Sequence, residues 1–211
     1  MMNGKSGFDT VVFDLGGVLI DWDPRYLYRH LFDDEAAMEH FLAEICTPLW
    51  NHQQDAGRSW HEAVAMLSAQ HPQHAELIGA FHTRWPEMLG GPIAPSVAVL
   101  DELRGRGLRL YALTNWSRET FPVARERYDF LRWFDGIVVS GEEGLAKPDP
   151  VIFQRTIERF SLVPRQTIYI DDASRNVAAA FQAGMHGLQF RDAETLRAQL
   201  CRLGVLAPPA A

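Results

Sequence analysis

The segment TVVFDLGGVLIDWDP, residues 10–24, decides how the chain is read. An apolar run ends on an acid, Asp14, and two glycines, Gly16 and Gly17, follow almost at once. A carboxylate at the end of a buried strand is costly to desolvate unless it is paired or has chemical work to do. Glycines beside it let the backbone approach closely and wrap an oxyanion. A second apolar run and two more acids, Asp21 and Asp23, then lead the chain away.

Working outward, short runs of the same kind recur: LRLYALTN (108–115), GIVVS (136–140), TIYIDD (167–172) and GLQF (187–190). Each is four to eight residues long and rich in Val, Ile, Leu or Tyr, as buried parallel strands are. Helical periodicity fills the gaps at 95–107, 149–162 and 173–185. Strand alternating with helix predicts an α/β fold with a doubly wound, Rossmann-like parallel sheet. The span 22–93 differs. It carries helix-like patterns at 25–31, 36–45, 59–69 and 75–88, holds four tryptophans and shows no convincing strand. LGGPIAP (89–95) reads as a linker back to the sheet. The expected organisation is therefore a Rossmann-like core from 1–21 and 94–211, with an all-helical cap at 22–93 inserted after the first strand.

Composition sets outer limits. The chain has 211 residues, which suits one core domain with a modest insertion. Apolar residues make up 47% and charged residues 22%, which is typical of a packed globular protein. The formal net charge is −7 and no Lys/Arg cluster stands out, which disfavours nucleic acid as a partner. Cys46 and Cys201 are expected as free thiols rather than a disulfide. The leader MMNGKSGFDT has no apolar region of the signal-peptide kind, and no apolar run approaches the ~18 residues of a membrane span. A cytoplasmic protein without a membrane partner is expected. The tail APPAA is expected to fray.

In an open parallel sheet, ligands bind outside the carboxyl ends of the strands. The predicted topology gathers four groups there: Asp14, Thr114–Asn115, the loop from Ser140 to Lys147, and Asp171–Asp172. Taken singly, each has an ordinary reading. Asp14 could cap a helix, TN is a common turn signal, and a lone lysine is usually a solvated one. Adjacent acids such as Asp171 and Asp172 repel without a cation, and with Asp14 they make the oxygen-rich setting that Mg²⁺ prefers.

The ordered set DLGGV (14–18), LTN (113–115), AKPDP (146–150) and YIDDASRN (169–176) resembles the haloacid dehalogenase-like hydrolase superfamily, in its branch with a helical cap after the first strand. The resemblance covers nearly the whole chain. It implies a Mg²⁺-dependent phosphatase acting on a small phosphate ester, with Asp14 as the nucleophile that forms an aspartyl-phosphate. Thr114 and Lys147 join Asp14 as catalytic groups. Gly16, Gly17, Thr114, Asn115, Lys147 and Trp116 are the implied phosphate and substrate contacts. Asp14, the Gly16 carbonyl, Asp172 and Asp171 are the implied metal ligands, Asp172 more directly than Asp171, with Asn176 orienting this shell.

The sequence departs from the family at one position. Most phosphatases of the superfamily carry a second Asp two places after the nucleophile, where it handles the leaving-group proton. Here that residue is Gly16. General acid–base help is worth ~10²–10⁴-fold, so its loss matters. The chain resembles the subgroup with glycine here, which includes sugar-1-phosphate phosphatases. Either the substrate has a good leaving group, or another acid is recruited. A metal-independent 2-haloacid dehalogenase is one alternative, opposed by the paired aspartates. A non-catalytic binding protein of the same fold is another, opposed by the intact Asp14, Lys147 and Asp172.

The cap is expected to close over the site. WNHQQDAGRSW (50–60) is its most polar-aromatic stretch, read as a loop. From it Trp50, Asn51, Gln54 and Asp55 are candidates to bind a polar leaving group, with packing inside the cap as the competing role. Trp116 either lines the pocket or packs on the cap. His30, His52, His61, His71, His74 and His82 show no ligand spacing, so no metal role is assigned to them. The protein is expected to be a monomer or a homodimer.

Overall fold

The first strand, β1 (Thr10–Phe13), is buried on both faces. That is why its run is apolar throughout instead of alternating. The structure, a computed structural model, describes residues 7–208. The reading of residues 1–6 as a polar N-terminus without a signal peptide, and that of 209–211 as a frayed end, lie outside the described residues.

After β1 the chain makes a tight turn into β2 (Ile20–Trp22). Five helices follow: α1 (Arg25–Tyr28), α2 (Glu35–Glu44), α3 (Pro48–Asp55), α4 (Trp60–Gln70) and α5 (Ala75–Thr83). A 3₁₀ turn over Trp85–Met88 leads to β3 (Leu89–Pro92), which pairs antiparallel with β2. The core resumes with α6 (Ala94–Gly105), β4 (Arg109–Thr114), α7 (Phe121–Arg127), β5 (Gly136–Val139) and α8 (Ser140–Glu143). It ends with α9 (Pro150–Phe160), β6 (Thr167–Asp171), α10 (Ser174–Gln182), β7 (His186–Gln189) and α11 (Ala193–Arg202).

Five strands form one parallel sheet in the order β5-β4-β1-β6-β7. The chain builds outward from β1 on one side and later returns to its other side, so β1 sits at the topological switch point. Side-chain alternation separates two apolar layers. Val11 and Phe13 pack with α6, α11 and the inserted helices, while Val12 packs with Ile152, Phe153 and Ala180 of α9 and α10. Helices thus cover both faces, as the alternating pattern predicts. Asp149 caps α9 by accepting from the Val151 N–H at 2.9 Å, with Pro150 in the first turn.

Two expectations change inside the insertion. The linker at 89–95 contains a strand, β3, and the stretch read as a loop at 50–60 is largely helix α3. LGGP is poor in strand formers, and pairing with β2 overrides its propensity. A side chain at Gly90 would collide with the Asp21 carboxylate and the Tyr26 ring, so the glycine permits the close approach. Helix α3 starts on a Thr-Pro signal: the Thr47 hydroxyl accepts from the Trp50 N–H at 3.0 Å and Pro48 opens the first turn. Both cysteines are free thiols. No helix among the described residues is long and apolar enough to cross a membrane.

Candidate active site

Asp14 stands one residue past β1, still tied to the sheet by its N–H donating to the Ile170 carbonyl at 2.8 Å. The residue is 8% exposed and lines a cavity. The Leu15 N–H donates to Asp14 Oδ1 at 2.7 Å and Lys147 Nζ lies 2.9 Å from Oδ2, so the carboxylate is held in one orientation. Burial pushes the Asp14 carboxyl up to about 7 against the pull of Lys147, with Asp171 adding to the rise.

Lys147 has no exposed surface. Its ammonium bridges Asp14 and Asp171, with Asp171 Oδ2 at 2.7 Å. Burial works against its charge, but the two carboxylates outweigh it and hold its pKa above the ordinary lysine value. Asn115 fixes the lysine from below: its Nδ2 donates to the Lys147 carbonyl at 3.0 Å and its Oδ1 accepts from the Lys147 N–H at 2.8 Å. The Asn115 side chain therefore positions the lysine loop. The neighbouring Thr114 hydroxyl is buried without a partner, an unmet donor at the end of β4.

Asp171 is fully engaged. Oδ2 accepts from Tyr169 at 2.6 Å and from Lys147, Oδ1 accepts from the Ala173 N–H at 2.9 Å, and Asn176 Nδ2 reaches both oxygens at 3.0 and 3.1 Å. Four donors use the capacity of a carboxylate. Burial raises its pKa, but Lys147 and these donors prevail, and it lies below the ordinary carboxylate value. Asp172 differs. It is exposed in the cavity lining, and partial burial with Asp171 beside it raises its carboxyl. A Cβ at Gly17 would lie 2.9 Å from Asp172 Oδ2, and Gly17 has φ +72°, so both space and backbone call for glycine there.

Carboxylate oxygens of Asp14, Asp171 and Asp172 lie within 4.8 Å of one another. An all-oxygen donor set of this size fits a hard divalent cation such as Mg²⁺. With Asp171 saturated by its donors, Asp14 and Asp172 are the side chains with oxygens to offer, and Gly16 lies beside them in the cavity lining.

The cavity has a volume of about 350 Å³. Its floor holds Asp14, Gly16, Gly17, Asn115 and Asp172. The insertion supplies Trp22, Pro48, Asn51, His52, Asp55 and Trp85. Trp116 and Thr120 close the side after β4, and Ala173, Arg175 and Asn176 the opposite lip. Trp116 takes both of its expected roles, lining the cavity and packing on Trp85 with ring centroids 5.3 Å apart. The four insertion candidates separate by helical face. Asn51 and Asp55 line the cavity, while Trp50 and Gln54 are buried inside the insertion. Gln54 donates to the Trp50 carbonyl at 2.8 Å and accepts from Arg58 at 2.7 Å. His52, Thr120 and Arg175 were not singled out from sequence as site residues. The i, i+4 spacing of Asn51 and Asp55 behind a Thr-Pro start was the signal for this face.

The haloacid dehalogenase-like hydrolase family model matches residues 8–184. Sesquiterpene phosphatase astK of Aspergillus oryzae is 29% identical over 88% of this chain and 91% of its own length. Acyl-CoA dehydrogenase family member 10 of Mus musculus is 36% identical over 92% of this chain, which spans only 19% of that longer protein. Among solved structures, a HAD family enzyme of Bacteroides thetaiotaomicron in complex with magnesium and inorganic phosphate superposes with a TM-score of 0.65 at 21% identity, covering 88% of this chain and 95% of that one.

Proposed function

The chain belongs to the haloacid dehalogenase-like hydrolases, and from that premise we propose that it is a Mg²⁺-dependent phosphatase of a small phosphorylated metabolite, working through an aspartyl-phosphate on Asp14. The observation that carries the reading is the buried Lys147 ammonium shared by Asp14 and Asp171, with Asp172 alongside. A carboxylate nucleophile must be exposed to its target yet kept from repelling it, and a fixed cation at 2.9 Å does that. Asp14 attacks phosphorus in line, the leaving oxygen departs, and water then attacks the same phosphorus to free Asp14. Lys147 and the Thr114 hydroxyl are assigned to the phosphoryl oxygens, a role supported by the unpartnered Thr114 hydroxyl. Bound Mg²⁺ would be held by Asp14, Asp172 and the Gly16 carbonyl, and would neutralise phosphate charge near the nucleophile.

The leaving group is inferred to be oxygen-bearing. Trp22 Nε1, Trp116 Nε1 and the Thr120 hydroxyl are buried donors without partners, and all three residues line the cavity. Donors of this kind favour a substrate rich in acceptors, such as a sugar phosphate.

The test is phosphate release from a panel of phosphate esters with Mg²⁺ or EDTA. Release is expected with Mg²⁺, is expected to stop in EDTA, and is expected to fall to background in Asp14→Asn. Absence of release across a broad panel, or chloride release from 2-haloacids without metal, would overturn the reading.

A further inference from the structure

We propose that Asp55, on the inserted helix α3, is the acid that protonates the leaving oxygen and then takes the proton of the attacking water. This inference rests on the phosphatase reading and supplies the group that Gly16 lacks.

Three carboxylates line the cavity: Asp14, Asp172 and Asp55. Asp14 is the nucleophile, and Asp172 sits on the floor against Gly17. Asp55 alone comes from the insertion. In-line displacement drives the leaving oxygen away from the nucleophile. Asp14 lines the cavity from the end of β1 and Asp55 lines it from α3, within range of the Lys147 charge, so the leaving oxygen is assigned to the α3 side. Gly16 offers nothing there, and no atom lies within 4 Å of where its Cβ would stand.

The carboxyl is held from both sides. Asn51 Nδ2 donates to Oδ2 at 3.4 Å, and the Ser117 backbone N–H, from the loop just after β4, also hydrogen-bonds to it. The end of α3 is seated on the core by backbone contact. A Cβ at Gly57 would lie 3.2 Å from the Gly144 Cα, at the end of α8. Trp60 completes the clamp, its Nε1 donating to the Ser117 hydroxyl at 3.1 Å and its backbone N–H to Glu119 at 3.0 Å.

The surroundings suit proton transfer near neutrality. Burial pushes the Asp55 carboxyl up to about 7, against the Ser117 N–H and the Lys147 charge. The other charged or titratable groups around it are His52 on its own helix, Asp14 and Lys147 at the sheet end, and Asp172 and Arg175 before and on α10. His52 is the rival donor. Burial and Arg175 lower its pKa, leaving a neutral imidazole that is a poorer acid source.

The step balances without another reagent. As the Asp14 oxygen bonds to phosphorus, the bond from phosphorus to the leaving oxygen breaks, and that oxygen takes the Asp55 proton. Asp55, now a carboxylate, accepts a proton from the water that attacks the aspartyl-phosphate. The bond between phosphorus and Asp14 then breaks and Asp55 is neutral again.

The test compares 4-nitrophenyl phosphate, whose leaving group departs without a proton, with benzyl phosphate, whose alkoxide needs one. In Asp55→Asn, whose amide oxygen can still accept from Ser117 and Asn51, kcat/KM for benzyl phosphate is expected to fall by ~10²–10⁴-fold. For 4-nitrophenyl phosphate, kcat/KM reports the leaving-group step and not the later water attack, and should be little changed, while kcat falls on both esters with the shared water step. An unaltered circular dichroism spectrum is the folding control. The alkaline limb of the wild-type profile on benzyl phosphate should vanish in the variant. Gly16→Asp, added to Asp55→Asn, should restore benzyl phosphate hydrolysis. An equal loss of kcat/KM on both esters, or a benzyl-selective loss in His52→Gln instead, would overturn the assignment. Failure of the wild type to release phosphate from these esters and from the broad panel would instead remove the phosphatase reading, and this inference with it.

Discussion

A lysine with no exposed surface survives in a protein only where carboxylates compensate it, and Lys147 has two. Removing it leaves Asp14 and Asp171 facing each other unneutralised. Lys147→Ala is expected to lower the unfolding free energy of the metal-free protein by about 3–5 kcal/mol in urea titration, with Mg²⁺ recovering part of the loss. Asp55 gives a pH signature of opposite kind. Its folded-state pKa, about 7, lies above the ordinary aspartate value of 3.8. Between those values the folded protein keeps a proton that the unfolded chain has released. Stability from this group is thus full below about 4 and declines as pH rises to about 7. Asn imitates the protonated form, so Asp55→Asn should melt like the wild type at pH ~4 and progressively above it toward pH ~7, with a constant gap beyond. At this scale the motifs were legible. Asp14, Thr114, Asn115, Asp171 and Asp172 each follow or close a short apolar run, Lys147 stands in the loop after one, and the sheet gathers them. What sequence could not show was how Asn115 and Asp171 are used. Asn115 clamps a backbone 32 positions away, and Asp171 joins Lys147, 24 positions away, to the nearby donors Tyr169, Ala173 and Asn176.

Helix α3 shows what is lost when an element is misread. As a loop, 50–60 offers four equivalent candidates. As a helix, it divides them into a buried pair, Trp50 and Gln54, and a cavity pair, Asn51 and Asp55. Its mean polarity hid it, although Thr47-Pro48 is a start signal. Ribbon strand β3 was hidden by glycine and proline, whose poor strand propensity is overridden by pairing and by the crowding of Asp21 and Tyr26. The docking of α3 rests on Gly57, with φ +104° and the Gly144 backbone against it. Gly57→Ala is expected to cost about 1 kcal/mol or more. If α3 is displaced, benzyl phosphate turnover should suffer more than that of 4-nitrophenyl phosphate, which steady-state kinetics on the purified variant would read.

Across the whole molecule, one apolar layer runs without interruption from Val11 and Phe13 under the sheet, through Trp50, Trp60 and Phe81 of the insertion, to Leu196 and Leu206 near the end of the chain. A shared core predicts a shared transition. Urea unfolding followed by tryptophan fluorescence, which weights the insertion, should coincide with unfolding followed by circular dichroism; two separated transitions would show that the insertion is held independently. The parallel sheet and its double layer of helices were legible because buried strands carry continuous apolar runs. The merging of insertion and core into one layer was not, since apolar periodicity says that a face is buried but not against what.

The paired strands β2 and β3 bring Ile20 opposite Pro92, so residues 23–88 form a detour that begins and ends at one point. Closing such a detour costs only about 0.6 kcal/mol more for each doubling of its length. The roof over the nucleophile can therefore be lengthened, shortened or replaced as a cassette while the floor stays in register, provided a replacement seals the layer that Trp60 and Met88 now seal. In such a molecule the chemistry is heritable separately from the choice of what is cleaved, and a proton donor carried on the roof would make the two change together.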